Sequence, residues 1–142
     1  MRDIVLTRDY EKIISIWERS VRASHDFLTI DVILDIKSEL IRQLPYLKIY
    51  AYEEAADEIV GFIAILTNRI EMLFVSPEHF RRGIGRALVD FAIDNMKVYE
   101  VDVNEQNNRA KVFYEHVGFS VACRMERDAG RNFPLLRMRK SL

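Results

Sequence analysis

Apolar residues return at helical spacing in four stretches and alternate, or run together, in seven others. Tyr10, Ile13, Ile14, Trp17 and Val21 predict an amphipathic helix over residues 10–23. A second helix is predicted over 31–44, capped by Asp31, with Ile33, Ile36, Leu40 and Leu44 inward and Pro45 ending it. SHDFLT between them reads as a loop. A third helix follows a glycine-rich turn and puts Ile84, Leu88, Phe91, Ala92 and Asn95 on one face. A fourth, over 107–117, turns Ala110, Phe113 and Val117 inward and stops at Gly118.

The remaining patterns are strands. Residues 4–6 form a short one, and 47–53 alternates Leu47, Ile49 and Ala51 against Lys48, Tyr50 and Tyr52. Residues 59–66 form a nearly continuous apolar strand, interrupted by Gly61. Asn68-Arg69 turns the chain into a strand over 70–75, which Ser76-Pro77 stops. In 98–103, Tyr99, Val101 and Val103 alternate with Glu100 and Asp102. Phe119, Val121, Cys123 and Met125 alternate in the next strand, and 135–139 forms the last. The order β-α-α-β-β-β-α-β-α-β-β predicts one α/β domain over 1–142, a mixed sheet with helices on its faces.

Composition narrows the class. The chain has 142 residues, 49% hydrophobic and 30% charged, with formal net charge −1. That balance suits a globular domain and argues against a sequence-independent nucleic-acid coat. The longest apolar run falls far short of the ~20 residues of a membrane helix, and the first residues lack a signal-peptide apolar core. Cys123 is the one cysteine, so no intrachain disulfide forms, and a cytoplasmic location is expected. Monomer and homodimer are both compatible with the sequence.

The stretch HFRRGIGRALVDFAIDNM carries the candidate chemistry. Glycines at a helix mouth let backbone N–H groups approach an anion. A P-loop needs Gly-Lys-Ser/Thr, but Gly85 is followed by Arg86-Ala87. A dinucleotide fingerprint needs a small residue where Leu88 stands. The pyrophosphate of coenzyme A requires only a strand, a turn with open N–H groups and a helix start. Arg81, Arg82 and Arg86 add positive charge.

LFVSPEHFRRGIGRALVDFA resembles the acetyl-CoA motif of the GNAT N-acetyltransferase superfamily, Arg/Gln-x-x-Gly-x-Gly/Ala, with Gly83 and Gly85 at its small positions. Phe80 replaces the first Arg/Gln. VNEQNNRAKVFYEHVGF resembles the family's later Asn-x-x-Ala…Phe-Tyr-x-x-x-Gly-Phe segment, and IWERSVRASHDFL is similar to small bacterial members. The resemblance implies a mostly antiparallel sheet of about seven strands with four helices, splayed between the fourth and fifth strands. It implies direct acetyl transfer from acetyl-CoA to an amine in a ternary complex, without a metal.

It also implies roles. The main chain from Arg81 through Arg82, Gly83, Ile84 and Gly85 to Arg86 would cradle the pyrophosphate. Leu73, Phe74 and Val75 would pair with the pantetheine arm, with a backbone N–H, that of Phe74, aimed at the thioester oxygen. Asn104 and Asn107 would contact the cofactor. Tyr114 would protonate the departing thiolate: a phenol of pKa ~10 stays protonated beside a thiol of ~8.5. Glu71 is the first candidate base, with His25, Glu53 or a water relay as alternatives. The acceptor, a small-molecule or peptide amine, would enter between the first two helices and the final hairpin, where His25, Phe27, Tyr50 and Tyr52 stand. Ser20 and Ser24 lie in the same region; Trp17 fits the core better, and Arg127 and Arg131 would close the other side. The rival reading is a regulatory module that binds coenzyme A without turnover. The mixed charges do not choose among a polyamine, an amino acid, an aminoglycoside and a protein amine.

Overall fold

The computed structural model describes residues 3–24, 28–126 and 134–140. Strands β1 (Asp3–Leu6), β2 (Lys48–Ala55), β3 (Glu58–Leu66), β4 (Arg69–Val75), β5 (Glu100–Asn104), β6 (Phe119–Met125) and β7 (Leu135–Lys140) form one sheet in the order β1-β2-β3-β4-β5-β7-β6. The β4–β5 pair is parallel and the other neighbours are antiparallel. The mixed, splayed sheet expected from the sequence is present, and its parallel pair sits where the helix-containing crossover requires it.

Helices α1 (Tyr10–Ser24) and α2 (Ile30–Gln43) cover one face. Their Ile13, Ile16, Trp17, Val21, Ile33 and Leu40 pack on Ile49, Phe62 and Ala64. Thr29, rather than Asp31, caps α2: its Oγ1 accepts from Val32 N at 3.3 Å. Asp31 sits two residues later, in the first turn, where its charge complements the positive end of the helix dipole.

Helices α3 (Ile84–Met96) and α4 (Asn108–Val117) cover the other face. Ile84, Leu88, Val89, Ala92, Tyr114 and Val117 pack on Ile63, Ile65, Val101, Val103 and Met138. The unbroken apolar run of β3 follows: both of its faces are covered. Asn95 was expected on the apolar face but is exposed and donates to the Phe91 carbonyl at 2.9 Å; Val89 takes the buried place. In β6 only Phe119 is fully buried, while Val121 and Cys123 are exposed, because this strand has a neighbour on one side only. No helix among the described residues is long and apolar enough to cross a membrane.

The sheet parts between β4 and β5. They pair only at Arg69↔Glu100 and Ile70↔Val101. At the parting, β4 carries a bulge: Ala64 pairs with Met72 and Ile65 with Ile70, so Glu71 is the extra residue. Beyond it, the β5-facing edge of β4 has no partner strand among the described residues.

Candidate active site

The parting opens a cleft of about 650 Å³. Residues Ile70–Val75 of β4 form one wall, and Val101–Asn104 of β5 with Tyr114 of α4 form the other. The turn from Phe80 into α3 closes one end.

That turn is built to leave a helix end open. Arg81 (φ 65°) and Gly83 (φ 78°) are both left-handed. Such a conformation suits glycine and costs a residue such as arginine roughly 1–2 kcal/mol. Gly83 caps α3 without a side chain, and Ala87 N to Gly83 O, 3.0 Å, is the helix's first hydrogen bond. The N–H groups of Ile84, Gly85 and Arg86 therefore have no intrahelical acceptor, and all three residues line the cleft. At Gly85 a Cβ would stand 3.5 Å from the Phe113 ring and 3.9 Å from Leu73, so the glycine marks where α3, α4 and β4 converge.

The segment before the turn is held firmly. Ser76 is buried and its N–H bonds to Val60 O at 2.8 Å. Its hydroxyl donates to Glu78 Oε2 at 2.8 Å. A carboxylate only accepts, so in the second contact, also 2.8 Å, His79 Nδ1 is the donor to Ser76 Oγ. Arg19 of α1 grips Glu78 at 3.1 and 3.3 Å.

Tyr114 is 5% exposed, edge-on to Phe113 and Phe119 with ring centroids 5.0 and 5.5 Å away. Its hydroxyl has no hydrogen-bond partner among the described residues, yet it is not sealed off: the side chain lines the cleft. Burial pushes its pKa well above the ordinary 10, so the phenol keeps its proton.

A profile of the acetyltransferase (GNAT) domain matches residues 35–142. The peptidyl-lysine N-acetyltransferase YjaB of Salmonella typhimurium is 36% identical over 129 residues, 90% of this chain and 89% of the relative. The chain belongs to the GNAT acetyltransferase family.

The solution structure of apo YjaB from Escherichia coli superposes on this GNAT chain with a TM-score of 0.87 at 34% identity, covering 98% and 97% of the two chains. PaiA N-acetyltransferase from Thermoplasma acidophilum, solved with coenzyme A, shares the GNAT fold with a TM-score of 0.74 at 21% identity, covering 99% of each chain. The protein is thus an N-acetyltransferase by family.

Within this GNAT fold the expected site residues separate into two groups. Leu73, Phe74, Val75, Arg81, Gly83, Ile84, Gly85, Arg86, Asn104, Asn107, Glu71 and Tyr114 all line the cleft. Arg82 does not; it is exposed on the turn. Arg86 is partly engaged by Asp90 at 3.2 Å. Asn104 and Asn107 also hold the β5–α4 connection, accepting from Gln106 N at 2.9 Å and Ala110 N at 3.1 Å.

Tyr50 and Tyr52 are not brought to the cleft. Strand alternation puts them on the face covered by α3, opposite the side expected to admit the acceptor. Tyr50 packs on Phe91 at 5.0 Å, and Tyr52 borders a separate depression with Asp3, Ile4 and Phe91. Glu53, on β2, is also outside the cleft lining. His25, Phe27, Arg127 and Arg131 lie outside the described residues. Ser20 does reach the cleft, and Trp17 is core, as the sequence indicated.

Three polar cleft residues were not singled out by the sequence: His79, Asp102 and Arg109. Arg109 left a signal, being a cation in the first turn of α4, where the helix dipole favours an acid. Asp102 left none without the register that pairs it with Arg137.

Glu71 projects from the bulge beside a charged group. Burial raises its pKa, with Arg69 as the main opposing influence. Burial would do the same to Glu100, but bonds from Arg69 (2.7 Å) and Arg139 (3.0 Å) outweigh it and hold that carboxyl below its ordinary value.

Proposed function

We propose that this enzyme moves an acetyl group from acetyl-CoA directly to the side-chain amine of a lysine in a peptide or protein. The observation that carries the reading is the parting of β4 from β5 beside Tyr114, which lines the cleft so opened. The peptidyl-lysine acceptor is suggested by the relatives' described activity.

The cleft fits the co-substrate on three grounds. The open N-terminus of α3, with Arg81 and Arg86 beside it, suits a diphosphate. The edge of β4 beyond its two pairs with β5 suits the amides of an extended arm, as a strand edge suits an added strand. The apolar side chains of Leu73 and Phe113 suit the methylenes between them.

Acetyl-CoA supplies an activated acyl group. The chain's residues do the rest. Glu71 accepts the proton an alkylammonium must lose before its nitrogen can attack. A backbone N–H of β4, that of Phe74, stabilises negative charge on the acyl oxygen as the carbon–nitrogen bond forms. Tyr114 donates its proton to the sulfur as the carbon–sulfur bond breaks; the nitrogen, which carries an excess proton after attack, releases it to solvent as the amide forms, and solvent reprotonates the phenolate.

Calorimetry with acetyl-CoA, followed by thiol release with a lysine-containing peptide, tests the reading. Saturable binding and peptide-dependent release are expected. Failure to bind acetyl-CoA would overturn it, and binding without release to any amine would overturn the transfer step.

A further inference from the structure

The carboxylates at the foot of the splay share their arginines unequally. Glu100 takes Arg69 and Arg139 at 2.7 and 3.0 Å. Asp102 takes Arg137 through two parallel bonds, Nε–Oδ1 at 2.9 Å and Nη2–Oδ2 at 3.0 Å. Among the described residues, Glu71 has only the Nη1 of Arg69, at 4.0 Å, and that same nitrogen lies 3.9 Å from Asp102 Oδ2. Glu71 and Asp102 both line the cleft, one from each side of the parting.

We propose that Asp102 is a positioning residue for Glu71: by holding Arg137 in a two-point pair and sharing Arg69, it keeps a close guanidinium off the Glu71 carboxylate and leaves that carboxylate available to an entering ammonium. The inference rests on Glu71 being the proton acceptor. A carboxylate in a two-point arginine pair is a poor base, since the pair lowers its pKa by about 1–3 units. The charged groups acting on Glu71 come from three strands. Arg69 on β4 and Arg137 on β7 favour its ionised form; Asp102 and Glu100 on β5 oppose it. Removing Asp102 deletes a like charge and frees Arg137 together, and both changes act in the same direction.

Asp102→Asn keeps the shape and removes the charge. Carbon NMR of glutamate-labelled protein, with the Glu71 carboxyl signal assigned by its loss in Glu71→Gln, reads the effect without needing an acceptor. The Glu71 midpoint is expected to fall by roughly half to one pH unit in Asp102→Asn and to rise in Arg69→Gln. An unmoved or higher midpoint in folded Asp102→Asn overturns the proposal. Should that variant fail to fold, Asp102→Ser decides by the same reading: a lower midpoint supports the proposal, and an unmoved or higher one overturns it. Rates with acetyl-CoA and a lysine peptide separate the two ideas. An acid limb that survives in Glu71→Gln overturns the base itself, whereas an unmoved Glu71 midpoint overturns only the part played by Asp102.

Discussion

Ile84, the first residue of α3, sits on Gly61 of β3: a Cβ on that glycine would stand 3.1 Å from Ile84 Cγ2. The Phe74 carbonyl oxygen would be 3.3 Å away and Val75 Cγ2 3.4 Å. The glycine that interrupts the most apolar strand is therefore the seat of the helix whose open end faces the cleft.

Gly61→Ala is expected to push Ile84 off the sheet. A cost of about 1–3 kcal/mol in stability follows from overpacking. Because the open N–H groups follow Ile84, affinity for acetyl-CoA should fall as well. Thermal melting and calorimetry on one preparation check both, and unchanged affinity in a destabilised variant would count against the seat.

Gly83→Ala meets no steric obstacle, since nothing lies within 4 Å of its Cβ position. Its φ of 78° is the difficulty. A loss of about 1 kcal/mol is expected from the left-handed conformation alone, with weaker acetyl-CoA binding if the turn relaxes.

Tyr114→Phe keeps the edge-on contacts with Phe113 and Phe119 and removes only the hydroxyl. Turnover should drop roughly 100-fold or more, as for loss of a general acid, while affinity for coenzyme A stays nearly unchanged. Equal losses in both would reassign the tyrosine to binding.

Glu71 titrates above the ordinary carboxylate value of 4.5 because it is partly buried. The proposed base works deprotonated, so the rate should climb with pH through that raised value. Glu71→Gln should lose the climb and much of the rate, read from a pH series of kcat/KM.

Glu100 has the opposite sign. Its pKa is depressed in the fold, so its pairs stabilise the protein above the ordinary value of 4.5, and that contribution is lost as pH falls through the depressed one. Glu100→Gln should melt lower than the parent at neutral pH. The gap should narrow on acidification below about 4.5, as melting curves at several pH values would show.

Much of this was legible in the chain. Helical spacing located the helices α1 to α4, and the glycine turn with its downstream Asn…Phe-Tyr segment located Arg81, Gly83, Ile84, Gly85, Arg86, Asn107 and Tyr114 in one cleft, though not Arg82. Alternation does not say which face a helix covers, so the sequence leaves Tyr50 and Tyr52 open to the acceptor side although α3 claims them. Nor could local pattern find the bulge at Glu71 or the Asp102–Arg137 pair, because both depend on register between strands distant in sequence.

The two rungs joining β4 to β5 leave the molecule's halves linked there by little main chain. A guest bonded to the open edge of β4 would act as mortar between them, so occupancy and rigidity would rise together. Amide exchange along β4 should slow on loading for that reason, making backbone protection a direct gauge of how fully the cleft is filled.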